Sequence, residues 1–279
     1  MKIAVVTDST GSLDPADAAR EGIVVVPLQV IIGADVHFDG TVPSEQIAQA
    51  LADFVPVNTS RPSPEEFLAA YERLAAGGAE AIVSVHLSAS MSGTVESAQL
   101  AAKQSSVPVT VVDTRQVGLA TGFAAGRAAR VAAEGGSVEE AAEAARTAGE
   151  SSQGFFYVDT LEYLRRGGRV GAAAALIGSA LSVKPLLTIK DGSVVPLERV
   201  RTTSKALSRL EALAVEAAQA CPDGFDIGLQ HLASPTVAEG VAARLATALG
   251  LDAVAVDELG PVIGAHVGPG TVAVTVTPR

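Results

Sequence analysis

Residues 2–8, "KIAVVTD", form a short β-branched run that ends at a polar turn. An apolar run of this length, closed by a turn, is typical of a strand buried on both faces of a parallel sheet. Similar runs occur at 80–87 and 107–114, and 23–32 predicts one or two strands broken at Pro27. The first half of the chain is therefore predicted to form a parallel sheet.

Helical patterns separate these strands, at 43–53, 64–76, 94–104 and 116–134. The helix at 64–76 has a well-defined start, because Ser63 can act as N-cap, Pro64 suits the first position and Glu66 completes a capping box. Strand–helix alternation of this kind favours an α/β fold with flanking helices on the sheet.

The second half predicts a mixed sheet. Residues 185–201, "PLLTIKDGSVVPLERVR", have the pattern of a β-hairpin in which Asp191-Gly192 forms a type I′ turn. Further strands are predicted at 154–160, 225–232, 252–259 and 271–277, with helices at 137–151, 203–220 and 235–249. We predict two α/β domains, 1–153 with a parallel sheet and 154–279 with a mixed sheet.

Composition excludes several classes of partner. The 279 residues are 48% hydrophobic, which is enough for a large core, and they carry a net charge of −11. This acidic balance disfavours nucleic acid and anionic membrane surfaces, both of which require a surplus of Lys and Arg. With Cys221 as its one cysteine, the chain has no internal disulfide, and a free thiol suits a reducing compartment.

No signal-peptide pattern is visible in "MKIAVVTDST" at 1–10, since a charged start and an extended apolar region are both missing. The longest uncharged stretch, 170–183, falls short of the roughly 20 residues of a membrane span and favours a buried helix. We expect a cytoplasmic protein with no membrane span.

Two hydroxyl-rich turns are candidate binding elements. One is "VNTSRPSP" at 57–64, predicted as a loop before a helix, and the other is "SASMSGT" at 88–94, after a strand. Hydroxyls and free N–H groups at helix starts suit a carboxylate or a phosphate, although each turn alone is also typical of capping. Asp8, in the first turn "TDSTGSL", is either a helix N-cap or a site residue.

Arginines concentrate in the second half, in "DTLEYLRRGGRV" at 159–170 and "ERVRT" at 198–202. For Arg165 and Arg166 a salt-bridged surface is the better interpretation. Arg169 and Arg201 lie beside a turn or a strand end, and a guanidinium binds phosphate or carboxylate in bidentate fashion. These two are the stronger anion-binding candidates.

The stretch "GPVIGAHVGPGT", residues 260–271, surrounds His266 with four glycines and two prolines, which predicts a tight loop rather than a helix. The other histidines, His37, His86 and His231, are predicted to be structural. We expect no metal site, since no second His or Cys falls at ligand spacing. No nucleotide-binding motif is present either, and no cofactor is expected.

Taken in order, "TDSTGSL", "TSRPSP", "SMSGT..SA", "VDT", "DTLEYLRRGGR", "IKDG", "RVRT" and "GPVIGAHVGPGT" make the chain resemble the DegV family along essentially its whole length. These are bacterial fatty-acid-binding proteins, including subunits that present fatty acids to a fatty acid kinase. Met91 stands where leucine is more usual, an exchange that conserves volume. The resemblance implies two α/β domains with a long-chain fatty acid bound between them and its tail in an apolar tunnel.

The resemblance also implies a ligand-binding set, namely Thr59, Ser60, Ser92, Gly93, Thr94, His266, Arg169 and Arg201. Thr59 and Ser92 would meet the carboxylate, with His266 close by, while Arg169 and Arg201 would lie at the rim. A carboxylate beside His266 would favour the charged imidazolium. Burying the tail gains about 0.8 kcal/mol per CH₂, and the buried carboxylate then needs hydrogen-bond donors.

The leading hypothesis is a carrier that binds a fatty acid and presents its carboxylate to a separate fatty acid kinase catalytic protein, for acyl phosphate formation and phospholipid synthesis. On this hypothesis the chain is not an enzyme, because phosphoryl transfer needs a nucleotide site. One alternative is an enzyme that acts on a small carboxylated or phosphorylated metabolite through Ser92 and His266. A third possibility is a lipid storage or sensing protein.

Overall fold

Strands and helices alternate along the chain in the computed structural model, which describes residues 1–176 and 184–279. The elements in chain order are β1 (Ile3–Asp8), α1 (Pro15–Glu21), β2 (Ile23–Val26), β3 (Gln29–Ile32), β4 (Asp35–Phe38), α2 (Ser44–Ala52), β5 (Val57–Ser60), α3 (Pro64–Ala76), β6 (Ala81–His86), α4 (Thr94–Ala102), β7 (Val109–Asp113), α5 (Leu119–Ala133), α6 (Val138–Ser151), β8 (Gln153–Tyr157), α7 (Glu162–Arg166), β9 (Lys184–Lys190), β10 (Ser193–Val200), α8 (Thr203–Gln219), β11 (Phe225–His231), α9 (Pro235–Leu249), β12 (Ala255–Glu258), α10 (Pro261–Val267) and β13 (Val272–Pro278). The predicted α/β class is confirmed.

The chain forms two compact units. Unit 1 consists of Met1–Gln29, Phe38–Gly40 and Thr59–Ser151, and unit 2 of Val30–His37, Thr41–Asn58 and Ser152–Arg279. Unit 2 therefore begins in sequence within the first half of the chain and takes up most of 30–58. The domain limits 1–153 and 154–279 stay a prediction.

Unit 1 is built on a four-stranded parallel sheet of order β2-β1-β6-β7. Successive residues of β1 point to opposite faces, so Val5 packs with the alanines of α5 and α6 while Val6 packs with Phe67 and Tyr71 of α3. Both faces are therefore buried, which is why β1 is an uninterrupted apolar run.

A close backbone approach positions the turn after β1. A Cβ atom at Gly122 of α5 would lie 2.3 Å from the carbonyl oxygen of Gly11. Only a residue without a side chain lets α5 pack this closely on the turn. The turn is a short 3₁₀ helix, Ser9–Gly11, with Asp8 as its N-cap.

Unit 2 contains a six-stranded mixed sheet of order β10-β9-β8-β13-β11-β12. Its strands pair antiparallel except for β11 with β12. Helices α8 and α9 pack on one face, where Leu210, Leu229 and Leu245 form part of the core. On the predicted hairpin, Asp191 has φ 52° and Gly192 has φ 77°, which confirms the type I′ turn.

The predicted strand region at 23–32 contributes to two different sheets. It divides at Pro27 into β2, in the parallel sheet, and β3, in a three-stranded sheet of order β4-β3-β5. The loop predicted at 57–64 is wrong in its first half, because Val57–Ser60 is strand β5. Its polar residues pair through their backbone, which periodicity does not reveal.

The loop predicted at 260–271 is also wrong over Pro261–Val267, which is helix α10. Pro261 occupies the first turn, where its missing N–H is not needed, and Gly268 ends the helix with φ 76°. Gly264 allows the helix to lie against Leu232, since a Cβ atom there would be 3.3 Å from that side chain. The glycines and prolines thus bound and pack a short helix.

The buried helix predicted at 170–183 is wrong for most of its described part, because Gly171–Leu176 form a 3₁₀ helix in which Ala173 and Leu176 are buried and the other residues are exposed. Residues 177–183 lie outside the described residues. Within the described ranges, no helix has both the length and the apolar character needed to cross a membrane.

Substituting Gly122 by alanine is expected to destabilise the protein by about 1–3 kcal/mol, because the new Cβ atom collides with the backbone of Gly11. The matched control is Gly126→Ala in the same helix, where the Cβ atom would lie 3.2 Å from the flexible end of Glu21. The control is expected to be neutral or stabilising by up to about 1 kcal/mol through helix propensity. Urea unfolding measures both, and equal effects would contradict the close approach.

Candidate functional site

The carboxyl ends of β1, β6 and β7 lie at one edge of the parallel sheet. The chain leaves β1 for β2 on one side and β6 for β7 on the other, so the strand order reverses between β1 and β6. Ligands of open α/β sheets bind at such a topological switch point. The candidate site of unit 1 is therefore the set of turns that follow these two central strands.

The turn after β6, residues 88–94, is called here the serine turn. Its backbone folds around Ser88, whose carbonyl accepts from Met91 N at 3.0 Å and Ser92 N at 3.1 Å. At its end the hydroxyls of Ser92 and Thr94 lie 2.8 Å apart and share a hydrogen bond. Thr94 is fully buried and Ser92 is half-buried, so the pair is fixed at the boundary of the core.

Helix α4 begins at Thr94, the last residue of this turn. Its N-cap is Gly93, which provides no side-chain acceptor for the first N–H groups of the helix. These groups carry partial positive charge, and an anion near them is stabilised. Together with the Ser92 and Thr94 hydroxyls they give the turn the donors that a carboxylate or phosphate requires.

Arg61 joins the predicted turn at 57–64 to the serine turn. Its Nη1 donates to the Gly93 carbonyl at 3.0 Å and lies 2.7 Å from Glu96 Oε2. A Cβ atom at Gly93 would lie 1.7 Å from Nη1, so this approach requires glycine. Thr59 and Ser60, half-buried at the end of β5, immediately precede Arg61. Five predicted ligand residues, Thr59, Ser60, Ser92, Gly93 and Thr94, are thus linked within unit 1.

Arg61 lies within "TSRPSP" but was not among the ligand residues predicted from the sequence. The available signal was the position of one cation between hydroxyl residues, just before a capped helix. For Asp8, whose role the sequence left open, the structure shows the N-cap, with Thr10 N donating to Oδ1 at 3.1 Å.

The other predicted ligand residues lie in unit 2. His266, in α10, lies against Gly167 at the end of α7, where a Cβ atom would be 2.1 Å from Nδ1. Arg169 is exposed and donates from Nη1 to the Gly167 carbonyl at 2.5 Å. The structure thus brings His266 and Arg169 together, while Arg201 is exposed between β10 and α8.

The salt-bridged surface predicted for two arginines is confirmed. Arg165 Nη2 and Arg166 Nε both lie 2.7 Å from Glu162 Oε1. These bonds lower the pKa of Glu162 to about 2. Because their charges are matched by a carboxylate, these two arginines are weaker anion-binding candidates than Arg169.

Burial lowers the pKa of His266 to about 4, and the positive charge of Arg169 adds to this effect. The imidazole is therefore neutral at pH 7 in the protein without ligand. The charged form expected beside a carboxylate is opposed by both features, since burial and a nearby cation each disfavour imidazolium.

Metal ligands do not cluster in the described part of the chain, where no three His, Cys, Asp or Glu side chains could hold an ion together. The predicted enzyme alternative used Ser92 and His266, which belong to unit 1 and unit 2 respectively. That alternative stays a prediction.

Unit 1 thus places donor-lined turns at the switch point of a parallel sheet, which is where ligands bind in open α/β proteins. The chain belongs to the DegV family, whose model, described as "Uncharacterised protein, DegV family", matches residues 2–279. The resemblance found from sequence motifs is thus confirmed.

Relatives match along nearly the whole chain. A DegV domain-containing protein of Streptomyces coelicolor is 50% identical over 99% of both chains. One from Deinococcus radiodurans is 37% identical over 100% of this chain and 99% of its own.

Solved structures share the fold. A DegV family protein from Thermus thermophilus, described by its fatty acid binding, is 34% identical with a TM-score of 0.91 over 100% of both chains. DegV of Bacillus subtilis, described as a fatty acid binding protein, is 30% identical with a TM-score of 0.90 over 100% of both chains.

The low pKa of His266 predicts a pH dependence of stability. Between about pH 6.5 and pH 4 the unfolded chain takes up a proton that the folded protein does not, so the free energy of unfolding falls as pH falls. A shift of this size corresponds to at most about 3 kcal/mol. His266→Gln removes this contribution, so its free energy of unfolding is expected to fall less over the same interval.

Chemical denaturation at several pH values measures the difference in the free energy of unfolding between the natural protein and His266→Gln. Carboxylates that titrate in the same pH range are common to both proteins, so the difference isolates the contribution of His266. An NMR titration of the His266 ring in the natural protein checks the same value directly. Parallel stability curves, or a ring that titrates near 6.5, would show that His266 is not held neutral.

Proposed function

We propose that this protein binds a long-chain fatty acid, with the carboxylate received by the serine turn. The observation that carries the proposal is the uncapped start of α4, where the paired hydroxyls of Ser92 and Thr94 lie beside Gly93. Relatives at 34% and 30% identity, from Thermus thermophilus and Bacillus subtilis, are described as fatty acid binding. Both the local chemistry and the likeness support the same ligand.

The balance of free energies favours a ligand with a long tail. Each buried CH₂ group contributes about 0.8 kcal/mol, while a carboxylate removed from water must find donors. Hydroxyls and helix N–H groups supply such donors without a second full charge. Arg61 adds a guanidinium whose Nη1 donates to the Gly93 carbonyl of the turn and to Glu96 of α4. Its Nε–H and Nη2–H groups, to which the described part of the chain gives no acceptor, can meet an incoming carboxylate.

The arrangement suits binding better than nucleophilic catalysis. The hydroxyl of Ser92 is paired with the hydroxyl of Thr94, which cannot accept its proton as a general base near neutral pH. On this proposal the protein is a carrier that offers the carboxylate to a fatty acid kinase catalytic protein. The cytoplasmic location and the roles of His266, Arg169 and Arg201 are part of the same proposal.

Lipid extraction of the purified protein followed by mass spectrometry is expected to yield a long-chain fatty acid at close to one equivalent. Thr59→Ala and Ser92→Ala are each expected to weaken binding of a fluorescent fatty acid by about 1–3 kcal/mol, the cost of losing a hydrogen bond in a buried site. An empty protein that turns over a small carboxylated or phosphorylated metabolite would instead support the enzyme alternative.

Two controls match these substitutions. Ser151→Ala removes a hydroxyl that donates to the Thr147 carbonyl of its own helix at 2.8 Å. Thr247→Ala likewise removes one that donates to the Ala243 carbonyl at 2.9 Å. Both controls are expected to bind fatty acid like the natural protein. Unchanged affinity in the Thr59 and Ser92 variants as well would contradict the site assignment.

Presentation to a kinase predicts a separate role for Arg201. Because the protein carries a net charge of −11, an exposed cation is a local contact for a phosphoryl group or an acidic partner. Arg201→Ala is expected to keep fatty acid binding while slowing acyl phosphate formation with a kinase, most clearly at low salt. Arg146→Ala, on the surface of α6, is the charge-matched control. Loss of bound lipid in the Arg201 variant would place Arg201 in the head-group site instead.

A further inference from the structure

Four buried polar side chains form a hydrogen-bonded row beneath the switch point of the parallel sheet, and the proposed function does not use them. Tyr71 Oη lies 2.8 Å from Ser84 Oγ, which lies 2.7 Å from His86 Nε2. His86 Nδ1 lies 3.0 Å from Asp8 Oδ2. All four side chains are 0% exposed.

The chemistry of the two ends sets the direction of the row. The carboxylate of Asp8 accepts only, so His86 Nδ1–H donates to it, and Nε2 of a neutral imidazole accepts from Ser84. Burial raises the pKa of Tyr71 to about 12, so its hydroxyl stays protonated and donates to Ser84. Every donor points towards Asp8, which is a consistent arrangement for a buried network.

The order Ser84–His86–Asp8 is that of a nucleophilic triad, but its place in the fold does not suit catalysis. Ser84 lies in the centre of β6, inside the sheet, and its oxygen already contacts the Tyr71 hydroxyl. The ring of Phe67 covers His86 edge-on, at 4.9 Å between centroids. A substrate carbonyl has no access to such a serine, which a nucleophile requires.

The position of Asp8 suggests a different role. Its carboxylate accepts from Leu87 N at 3.1 Å, from Thr10 N at 3.1 Å and from the Thr10 hydroxyl, in addition to His86. It therefore ties the end of β1 to the end of β6, one residue before the serine turn. Because hydrogen bonds to a charged acceptor are stronger than neutral ones, four donors on one carboxylate hold the ends of β1 and β6 firmly together.

The opposite side of β6 is anchored as well. The His86 carbonyl accepts from Thr114 Oγ1 at 2.9 Å, and Ser88 N donates to the Gln116 carbonyl at 2.8 Å. Since Ser92 N in turn donates to the Ser88 carbonyl at 3.1 Å, the position of Ser88 determines that of the hydroxyl pair. Asp8 is thus connected to the serine turn through its hydrogen bond from Leu87 N, the peptide link from Leu87 to Ser88 and the hydrogen bond from Ser92 N to the Ser88 carbonyl.

We propose that Asp8 and His86 are positioning residues for ligand recognition, which hold the serine turn in the geometry that receives a carboxylate. They contact no ligand themselves and act through Leu87 and Ser88. The ligand in this inference rests on the proposed function, whereas the positioning of the turn can be measured without any ligand.

Asp8→Asn tests the anchor while keeping its size. The amide nitrogen that replaces one carboxylate oxygen cannot accept a hydrogen bond, so either Leu87 N or Thr10 N loses its partner, depending on how the amide is turned. Fatty acid affinity is expected to fall at least about tenfold, and amide hydrogen exchange across 88–94 is expected to rise at least about tenfold in the ligand-free protein. Tyr71→Phe is the matched control, because it breaks the same row at the end remote from the turn. It is expected to keep affinity and exchange at 88–94 within about twofold even if it lowers stability.

Substitution of His86 gives a second, independent test. In His86→Asn the side-chain nitrogen can still donate to Asp8, whereas His86→Leu removes that donor. The asparagine variant is expected to bind fatty acid at least about fivefold more tightly than the leucine variant. Its amide hydrogen exchange at 88–94 is expected to be slower than in the leucine variant. A general loss of core stability would not separate two substitutions in this order, since leucine is the better core residue.

The outcomes separate the two proposals. A natural protein that binds no fatty acid overturns the proposed function, while the exchange of 88–94 in the variants still decides the positioning role. Exchange that is unchanged in Asp8→Asn, or equally raised in Asp8→Asn and Tyr71→Phe, overturns the positioning role even if fatty acid is bound. If Asp8→Asn does not fold, the order of the two His86 variants decides.

Discussion

The parallel pairing of β1 with β6 is the constraint on which the rest of unit 1 depends. Both strands are buried on both faces, and helices cover each face. The pairing register places Thr7 beside Val85 and brings the ends of the two strands together. At this point the buried Asp8 carboxylate meets His86 Nδ1 and Leu87 N. The buried polar row and the serine turn both follow from this pairing.

Small residues allow the helices and turns of this protein to pack closely. Aromatic residues make up only 4% of the chain, and alanines of α5 and α6 form much of one core face of unit 1. Close packing then requires helices and turns to approach at backbone distance, as Gly122 does against Gly11. The same principle recurs where function is proposed, because Gly93 admits Arg61 and Gly167 admits His266. Dispersion contacts between closely packed small groups replace the contribution of large side chains.

The two groups of predicted ligand residues differ in their electrostatics. The serine turn offers neutral hydroxyls, the start of a helix and a guanidinium that shares its charge with Glu96. In unit 2, His266 is kept neutral by burial and by Arg169, while Arg169 itself stays exposed. Placing neutral donors near the core and full charges near water lowers the desolvation free energy, because burying a charge without a partner is unfavourable.

Sequence alone determined the features that depend on neighbouring residues. The run at 2–8, the capped helix at 64–76 and the Asp191-Gly192 turn were all predictable, because periodicity, capping and turn geometry act within a few positions. The ordered motifs along the chain also identified the family. The hydroxyl-rich turns were recognised as candidate binding elements from residue type and from their place beside a strand or a helix.

Tertiary structure alone decided what depends on residues far apart in sequence. It assigned most of 30–58 to unit 2 and made Pro261–Val267 a helix. It also brought Arg61 into contact with Gly93, 32 positions away in sequence, and bonded His86 to Asp8, 78 positions away. Burial, and with it the low pKa of His266, depends on which distant segments pack around a group. Local pattern holds no information on that packing, and this is why Pro261–Val267 was predicted as a loop and why Arg61 and the bond between His86 and Asp8 were missed.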